Sequence, residues 1–301
     1  ILTMKAKIFL IGLVGTLFYG TANAQFNWPE DRATAEEKNA LYNDNLNQGN
    51  FRGAANQLSW LLINAPDLNK AIYINGVKIY DGLASKESDS AKKLVFQDSV
   101  MTLYDLRIKY FGEEGKVLNR KAYDAYKYFR DVKDRHEELF NLYKKTFELN
   151  GDNVMDLNLL PYMDVIRRYK AGGGSITDEE VLDIYEGLIR TIGFKINKGG
   201  KNAERLKTVR ESINNLLVQT VKVDCDFVQN NLGPKLEAAP EDLKIAKDIL
   251  RYSFAAKCMD LDIAIKAAEV VQKNEPDFGI AKLIAQSAAA KEDYETAIKY
   301  Y

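Results

Sequence analysis

Apolar residues recur every three or four positions along most of this chain, the spacing that gives a helix one buried face. In the stretch EDLKIAKDILRYSFAAK, Leu243, Ala246, Leu250 and Phe254 fall on one face, while Lys244, Lys247, Asp248 and Arg251 occupy much of the other. The rhythm returns in LDIAIKAAEVVQ through Ile263, Ala267 and Val271. Strand-like alternation is scarce, with Val221-Lys222-Val223 the clearest short case. Punctuated at its turns, the pattern predicts helices over 35–48 and 51–64, 69–84 and 88–110, 116–130 and 134–149, 153–171 and 178–195, 202–218 and 223–232, 241–257 and 260–274, 278–290 and 292–301. The expected fold is all-α, with about seven helix pairs. Gly172-Gly173-Gly174 marks one restart. The Thr177-Asp178-Glu179-Glu180 that follows reads as a capping box, in which the threonine hydroxyl takes a first-turn amide and Glu180 returns to the cap amide.

Short paired helices bury their apolar faces against the next pair when they form a solenoid, so the chain is searched for a period. In EEKNALYNDNLNQGNFRGAANQLSWLLINAPD, the order Leu41, Gly49, Asn50, Phe51, Ala54, Leu58, Leu61, Pro66 resembles the tetratricopeptide repeat. That family's pattern is a leucine, a Gly-Asp-Tyr turn, an alanine three residues on and a closing proline. Phe51 replaces the tyrosine, Tyr42 stands where a glycine is usual, and Leu61 replaces a common alanine. The pattern returns with Leu261, Ala264, Ala268, Val271 and Pro276, then with Asp293, Tyr294, Ala297 and Tyr301. Ala264 and Ala297 are 33 residues apart, as are Leu261 and Tyr294. The organisation expected is an N-terminal repeat-like unit over 25–67, divergent helices over 68–240, and repeat-like units over 241–301. The middle part is either degenerate repeats in the same array or an inserted helical domain. The resemblance implies a right-handed α-α superhelix whose concave face, lined by the first helix of each pair, receives a protein or peptide. On the first such helix Lys38, Asn39, Asn43 and Asn45 point away from the apolar stripe. Asn39 and Asn43, four apart on one face, match the use that peptide-clamping members make of asparagine. The plainer account is polar surface on a capping unit, which needs it for solubility.

The N-terminus changes the picture of compartment. Ile1-Leu2-Thr3 precede the first methionine, Met4, and read as upstream frame. Residues 4–24 read as a signal peptide, with Lys5 and Lys7, an uncharged run from Ile8 to Tyr19, and Ala22-Asn23-Ala24 before Gln25. The run is too short for a bilayer core, which takes roughly 20 residues. Position 25 is also not the cysteine of a lipoprotein. Export to the periplasm or outside is therefore expected, with no transmembrane anchor after cleavage. At the other end EDYETAIKYY stops inside a helical pattern without a cap, so more chain is expected after Tyr301. The 42 basic against 43 acidic residues argue against nucleic acid, which demands a concentrated basic surface. The short basic clusters, Arg167-Arg168 with Lys170, and Lys195, Lys198 and Lys201, read as solvated helix ends or loops.

Candidate chemistry is sparse. His136 is the single histidine, and RHEEL lacks the second histidine of a zinc motif. The triple glycine has no lysine of a phosphate loop, and there is no G-x-S-x-G elbow. No catalytic residue, metal site or cofactor is expected. Cys225 and Cys258, also 33 apart, are expected to form a disulfide because an even pair in an oxidising compartment is usually bonded; the alternative is a pair of buried thiols. Trp60 is read as core, and Trp28 as a cap on the first pair. The expectation is a non-enzymatic protein- or peptide-binding scaffold of the cell envelope. The rival is a helical envelope enzyme or glycan-binding protein whose site lies in 68–240 or beyond 301.

Overall fold

The computed structural model describes residues 26–199 and 201–301, so the expected leader lies outside the described residues. The chain divides into two compact units, one ending at Gly112 and one running from Glu113 to Tyr301. Nothing in the repeat pattern marks that boundary.

The first unit contains α1 (Arg32–Asn47), α2 (Phe51–Asn64), α3 (Ala71–Lys86) and α4 (Ser90–Phe111). Three starts are capped by acceptor side chains, Asp31 to Thr34 N, Asn50 to Gly53 N and Asp89 to Lys92 N, which satisfies amides the helix itself leaves without partners. Gly49 takes a left-handed φ of 70° to reverse the chain between α1 and α2. Helices α1 and α2, α2 and α3, and α3 and α4 pack as neighbours in sequence. Their core holds Tyr42, Ala54, Leu58, Leu61, Ile72, Tyr73 and Ile79. Leu41 lies off this stripe and is exposed, while Tyr42 beside it is buried. Trp60 and Trp28 both pack on the edge of the core, and Trp28 stacks on Phe26 with ring centroids 4.9 Å apart.

Small residues set the approach of these helices. Ala54 is completely buried, and a methyl group at Gly82 of α3 would lie 2.5 Å from the ring of Phe51. Overpacking a core position of this kind displaces backbone, so Ala54→Leu should destabilise the first unit by about 2 kcal/mol. Urea unfolding of the variant checks this, and an unchanged midpoint would show that the site has room.

The second unit comprises α5 (Glu114–Phe129), α6 (His136–Asn150), α7 (Leu159–Ala171), α8 (Asp178–Asn197), α9 (Ala203–Thr220), α10 (Cys225–Phe227), a π-helical turn (Val228–Leu232), α11 (Gly233–Ala238), α12 (Leu243–Ala256), α13 (Asp262–Asn274), α14 (Phe278–Ala290) and α15 (Tyr294–Tyr300). Adjacent pairs α5/α6, α12/α13 and α14/α15 pack closely, with Ala264, Ala268 and Ala297 buried. The capping box at α8 is formed in both directions, Glu180 N–H to Thr177 Oγ1 at 3.1 Å and Thr177 N–H to Glu180 Oε2 at 2.8 Å.

Two features depart from a simple file of pairs. First, α9 packs against both α7 and α8, which touch each other little. The Gly172–Gly174 linker lets α8 leave the axis of α7, and Leu206, Ile213 and Leu217 of α9 supply the buried contact instead. Second, the helix predicted over 223–232 continues through Gly233-Pro234 to Ala238. The wider turn sends the Gly233 amide back to Val228 O, and Pro234, which has no amide to place, sits in the first turn of α11.

Helices α5 and α6 are joined by buried asparagines rather than by a repeat signature. Asn119 Nδ2 donates to Asn150 Oδ1, and Asn119 Oδ1 accepts the Met155 amide, each at 2.8 Å. Asn158 Nδ2 donates to Asn119 O at 2.8 Å. Among the described residues no strand forms, and no helix is long and apolar enough to cross a membrane.

Candidate functional site

Asn39 and Asn43 lie together, half-buried, on one face of α1. Asn43 Nδ2 donates to Asn39 O at 2.8 Å, and Asn43 Oδ1 accepts from Asn75 Nδ2 of α3 at 3.4 Å. Asn75 also reaches the hydroxyl of Tyr42 at 3.4 Å. The polar row therefore extends to α3 through a residue that the sequence reading missed; the signal for it was a spacing of about one repeat from Tyr42. Asn45 is elsewhere. Its side chain donates to Leu41 O at 2.8 Å and accepts from Asn50 at 2.6 Å, which makes it part of the α1–α2 turn.

A second surface lies in the other unit. A hollow of about 640 Å³ between α8 and α12 is lined by Tyr185, Ile189, Lys244, Asp248 and Arg251, among others. A hollow of about 690 Å³ between α12 and α14 is lined by Leu250, Phe254, Met259, Ile280 and Leu283, and again by Arg251. The buried face of α12 is not the one expected, since of Leu243, Ala246, Leu250 and Phe254 only Ala246 is buried. Ala246, Ile249, Tyr252 and Ser253 turn into the unit, which leaves Arg251 and Phe254 on the outer side. The Arg251 guanidinium lies 5.4 Å from the Tyr185 ring centre and 4.6 Å from that of Tyr252, and its Nη2 donates to Asp248 at 2.7 Å. Burial pushes the Asp248 carboxyl above its ordinary range, with Arg251 pulling the other way. Lys244 bridges from α12 to Glu186 of α8 at 2.5 Å. Phe254 is 77% exposed.

The basic residues near 167–170 are an ion-paired knot rather than a solvated helix end. Asp164 accepts from Tyr126 OH at 2.9 Å, Arg167 Nη2 at 2.7 Å and Arg168 Nε at 2.6 Å. Arg168 Nη1 also reaches Arg130 O and Asp131 Oδ1, at 3.0 and 2.9 Å. Burial works to raise the Asp164 carboxyl, but hydrogen bonds from Arg168, Arg167 and Tyr126 together hold it below the ordinary range. Lys170 pairs with Asp178 across the glycine turn, and Lys195 pairs with Asp156 at 3.1 Å. His136 Nε2 donates to Arg130 O at 2.9 Å at the start of α6.

Cys225 and Cys258 are free thiols in this structure, the first half-buried and the second buried. Burial pushes the Cys258 thiol up to about 12, and the Cys225 thiol adds to the shift. Cys225 Sγ also lies 3.9 Å from Ala256 O, and Asp224 caps the helix start by accepting from Phe227 N at 2.9 Å. Among the described residues no group of three or more His, Cys, Asp or Glu side chains is placed to hold a metal ion.

No family model matches the chain, and no curated protein matches it. The likeness to tetratricopeptide repeats rests on the residues quoted for it.

Proposed function

We propose that the chain is a non-enzymatic scaffold of the cell envelope that receives an extended segment of another protein on the first helices of its pairs, arranged as a tetratricopeptide-like superhelix. The observation that carries the reading is the surface of α12, where Phe254 is 77% exposed at the edge of an open hollow. Contiguous apolar surface beside polar rims marks interaction sites. The asparagine row Asn39, Asn43 and Asn75 offers a second contact line of hydrogen-bonding groups on α1 and α3. The segment at 4–24 supports export, which would leave a chain beginning at Gln25.

The test is a pull-down from envelope extract followed by cross-link mapping. Wild type should retain a protein whose cross-links fall on α1, α3 and α12, and Asn39→Ala/Asn43→Ala should retain less of it. Retention unchanged in the double variant would move the contact away from α1. Recovery of no protein, together with saturable oligosaccharide binding or turnover of an envelope substrate, overturns the reading.

A further inference from the structure

We infer that the groove over α12 binds an extended peptide segment in which acidic side chains flank an apolar anchor. The inference rests on the scaffold reading and names the partner's chemistry. The hollows on either side of α12 share Arg251 as a common wall; a chain laid across α12 would meet both, and the two together are the proposed groove. Its two halves differ. The α8 side carries Arg190, Lys244 and Lys247, whereas the α14 side is mostly apolar through Leu250, Phe254, Met259 and Leu283, with Lys282 and Asp277 among them.

Charge decides the class of ligand. Five basic and three acidic side chains line the groove, although the whole chain has a formal net charge of −1. The acidic members are already engaged, and Lys247 is paired with Glu275 outside the groove at 2.6 Å. Asp248 takes Arg251, Glu186 takes Lys244, and Asp277 caps α14 through the amides of Gly279 and Ile280 at 2.8 and 3.1 Å. Arg190 and Lys282 have no ion-pair partner among the described residues, and they stand on α8 and α14, one in each hollow. Arg251, between them, is held in place by two buried tyrosine rings. A guanidinium has five N–H donors, and the carboxylate of Asp248 engages Nη2. An approaching acid therefore meets a fixed donor instead of a mobile chain.

The spread of cations over three helices separates the occupants. A single terminal carboxylate would satisfy one of them. A nucleic acid would drive closely spaced phosphates past Glu186 and Asp248. A peptide with acids on both sides of one large apolar residue reaches Arg190 and Lys282 while its anchor covers Phe254.

Fluorescence anisotropy with the full chain tests this. The probe is a fluorescein-labelled, C-terminally amidated peptide, Gly-Asp-Glu-Leu-Phe-Asp-Glu-Gly, and the comparison peptide has every acid replaced by its amide. The acidic probe should bind saturably, with the amide version weaker by about tenfold or more, a difference of about 1.4 kcal/mol. Phe254→Ser and the surface double variant Arg190→Glu/Lys282→Glu should each weaken it by about fivefold or more, and the second loss should shrink at high salt as screening sets in. Circular dichroism confirms that both variants fold. Equal binding of the two peptides, with loss in Phe254→Ser, overturns the acidic class and leaves the scaffold reading standing. Undiminished binding in both variants overturns the groove. Displacement of the probe by a DNA oligomer with the same dependence on Arg190 and Lys282 overturns the peptide class. Absence of any probe binding overturns the proposal, and the pull-down judges the scaffold reading separately.

Discussion

Replacing Asp164 with alanine should destabilise the second unit by about 3 kcal/mol, the low end of the range for breaking a buried ion pair. The Asp164 side chain is 11% exposed, and those of Arg167 and Arg168 are 29% and 26% exposed, so solvent compensates the stranded guanidinium groups only in part. The loss also propagates. Tyr126 of α5 loses its acceptor, and Arg168, which ties α7 to Arg130 and Asp131 at the end of α5, loses the carboxylate that orients it. Asp164→Asn keeps the shape and one acceptor oxygen, so it should cost less. The pH dependence has a definite sign. Because the carboxyl is held below its ordinary range in the fold, its stabilisation is complete above the unfolded value of about 3.9 and is lost as pH falls through the lower folded value. The stability gap between wild type and Asp164→Asn, measured by urea unfolding, should therefore be flat above pH of about 5 and close on further acidification. A gap that is absent at neutral pH would show that the knot adds nothing.

The knot also shows where sequence reading ends. Arg167, Arg168 and Lys170 look like a solvated basic helix end because their partners are not read with them. Asp164 is three and four residues back, Asp178 lies beyond three glycines, Tyr126 belongs to another helix and Asp131 to the turn after it. Local signals fared better. The predicted helices over 51–64 and 278–290 coincide with α2 and α14, since Asn50 and Asp277 cap them with their own side chains. The capping box at Thr177 was equally legible, because all its parts lie within four residues. Pairing does not follow linker length, since six residues separate both α5 from α6, which pack closely, and α7 from α8, which touch little. At 172–176 the glycines gave no direction to the chain, and α9 rather than α8 became the main neighbour of α7. At 223–238 the predicted end at 232 was overrun, because the wider turn sends the Gly233 amide to Val228 O and needs none from Pro234. The α1 face was half legible. Helical spacing put Asn39 and Asn43 together, but Asn75 joins them through packing of α3, which no local pattern encodes. The α12 groove follows the same division. Periodicity assigned Lys244, Lys247 and Arg251 to the polar side, while the tyrosine rings that hold Arg251 depend in part on α8.

In exported protein, Cys225 and Cys258 should be joined by a disulfide that adds about 3 to 4 kcal/mol, the chain-entropy value for closing a loop of roughly 33 residues. Their sequence argument was compartment and even number; the structure adds that the two free thiols lie close enough for Cys225 to act on the Cys258 thiol. Oxidation removes one hydrogen from each thiol and passes both to a disulfide of an exchange partner, which leaves as two thiols. The geometry orders the steps. Cys225 is the more accessible sulfur and would form the mixed disulfide, and the buried Cys258, beside it, would displace the partner's thiol. With its thiol pushed up to about 12, Cys258 is a poor first nucleophile at neutral pH. The bond would fasten α10 and the π-helical turn to the end of α12, next to Met259 in the wall of the groove. Mass spectrometry of unreduced, denatured protein should find it two hydrogens lighter than the dithiol form, with neither cysteine alkylated by iodoacetamide. Cys225→Ser should then lower the unfolding free energy by about 3 kcal/mol without reductant, and by much less when both proteins are compared in dithiothreitol. Two alkylatable cysteines in protein recovered from the envelope would defeat the expectation. An equal loss with and without reductant would show that the serine acts through packing, not through a bond.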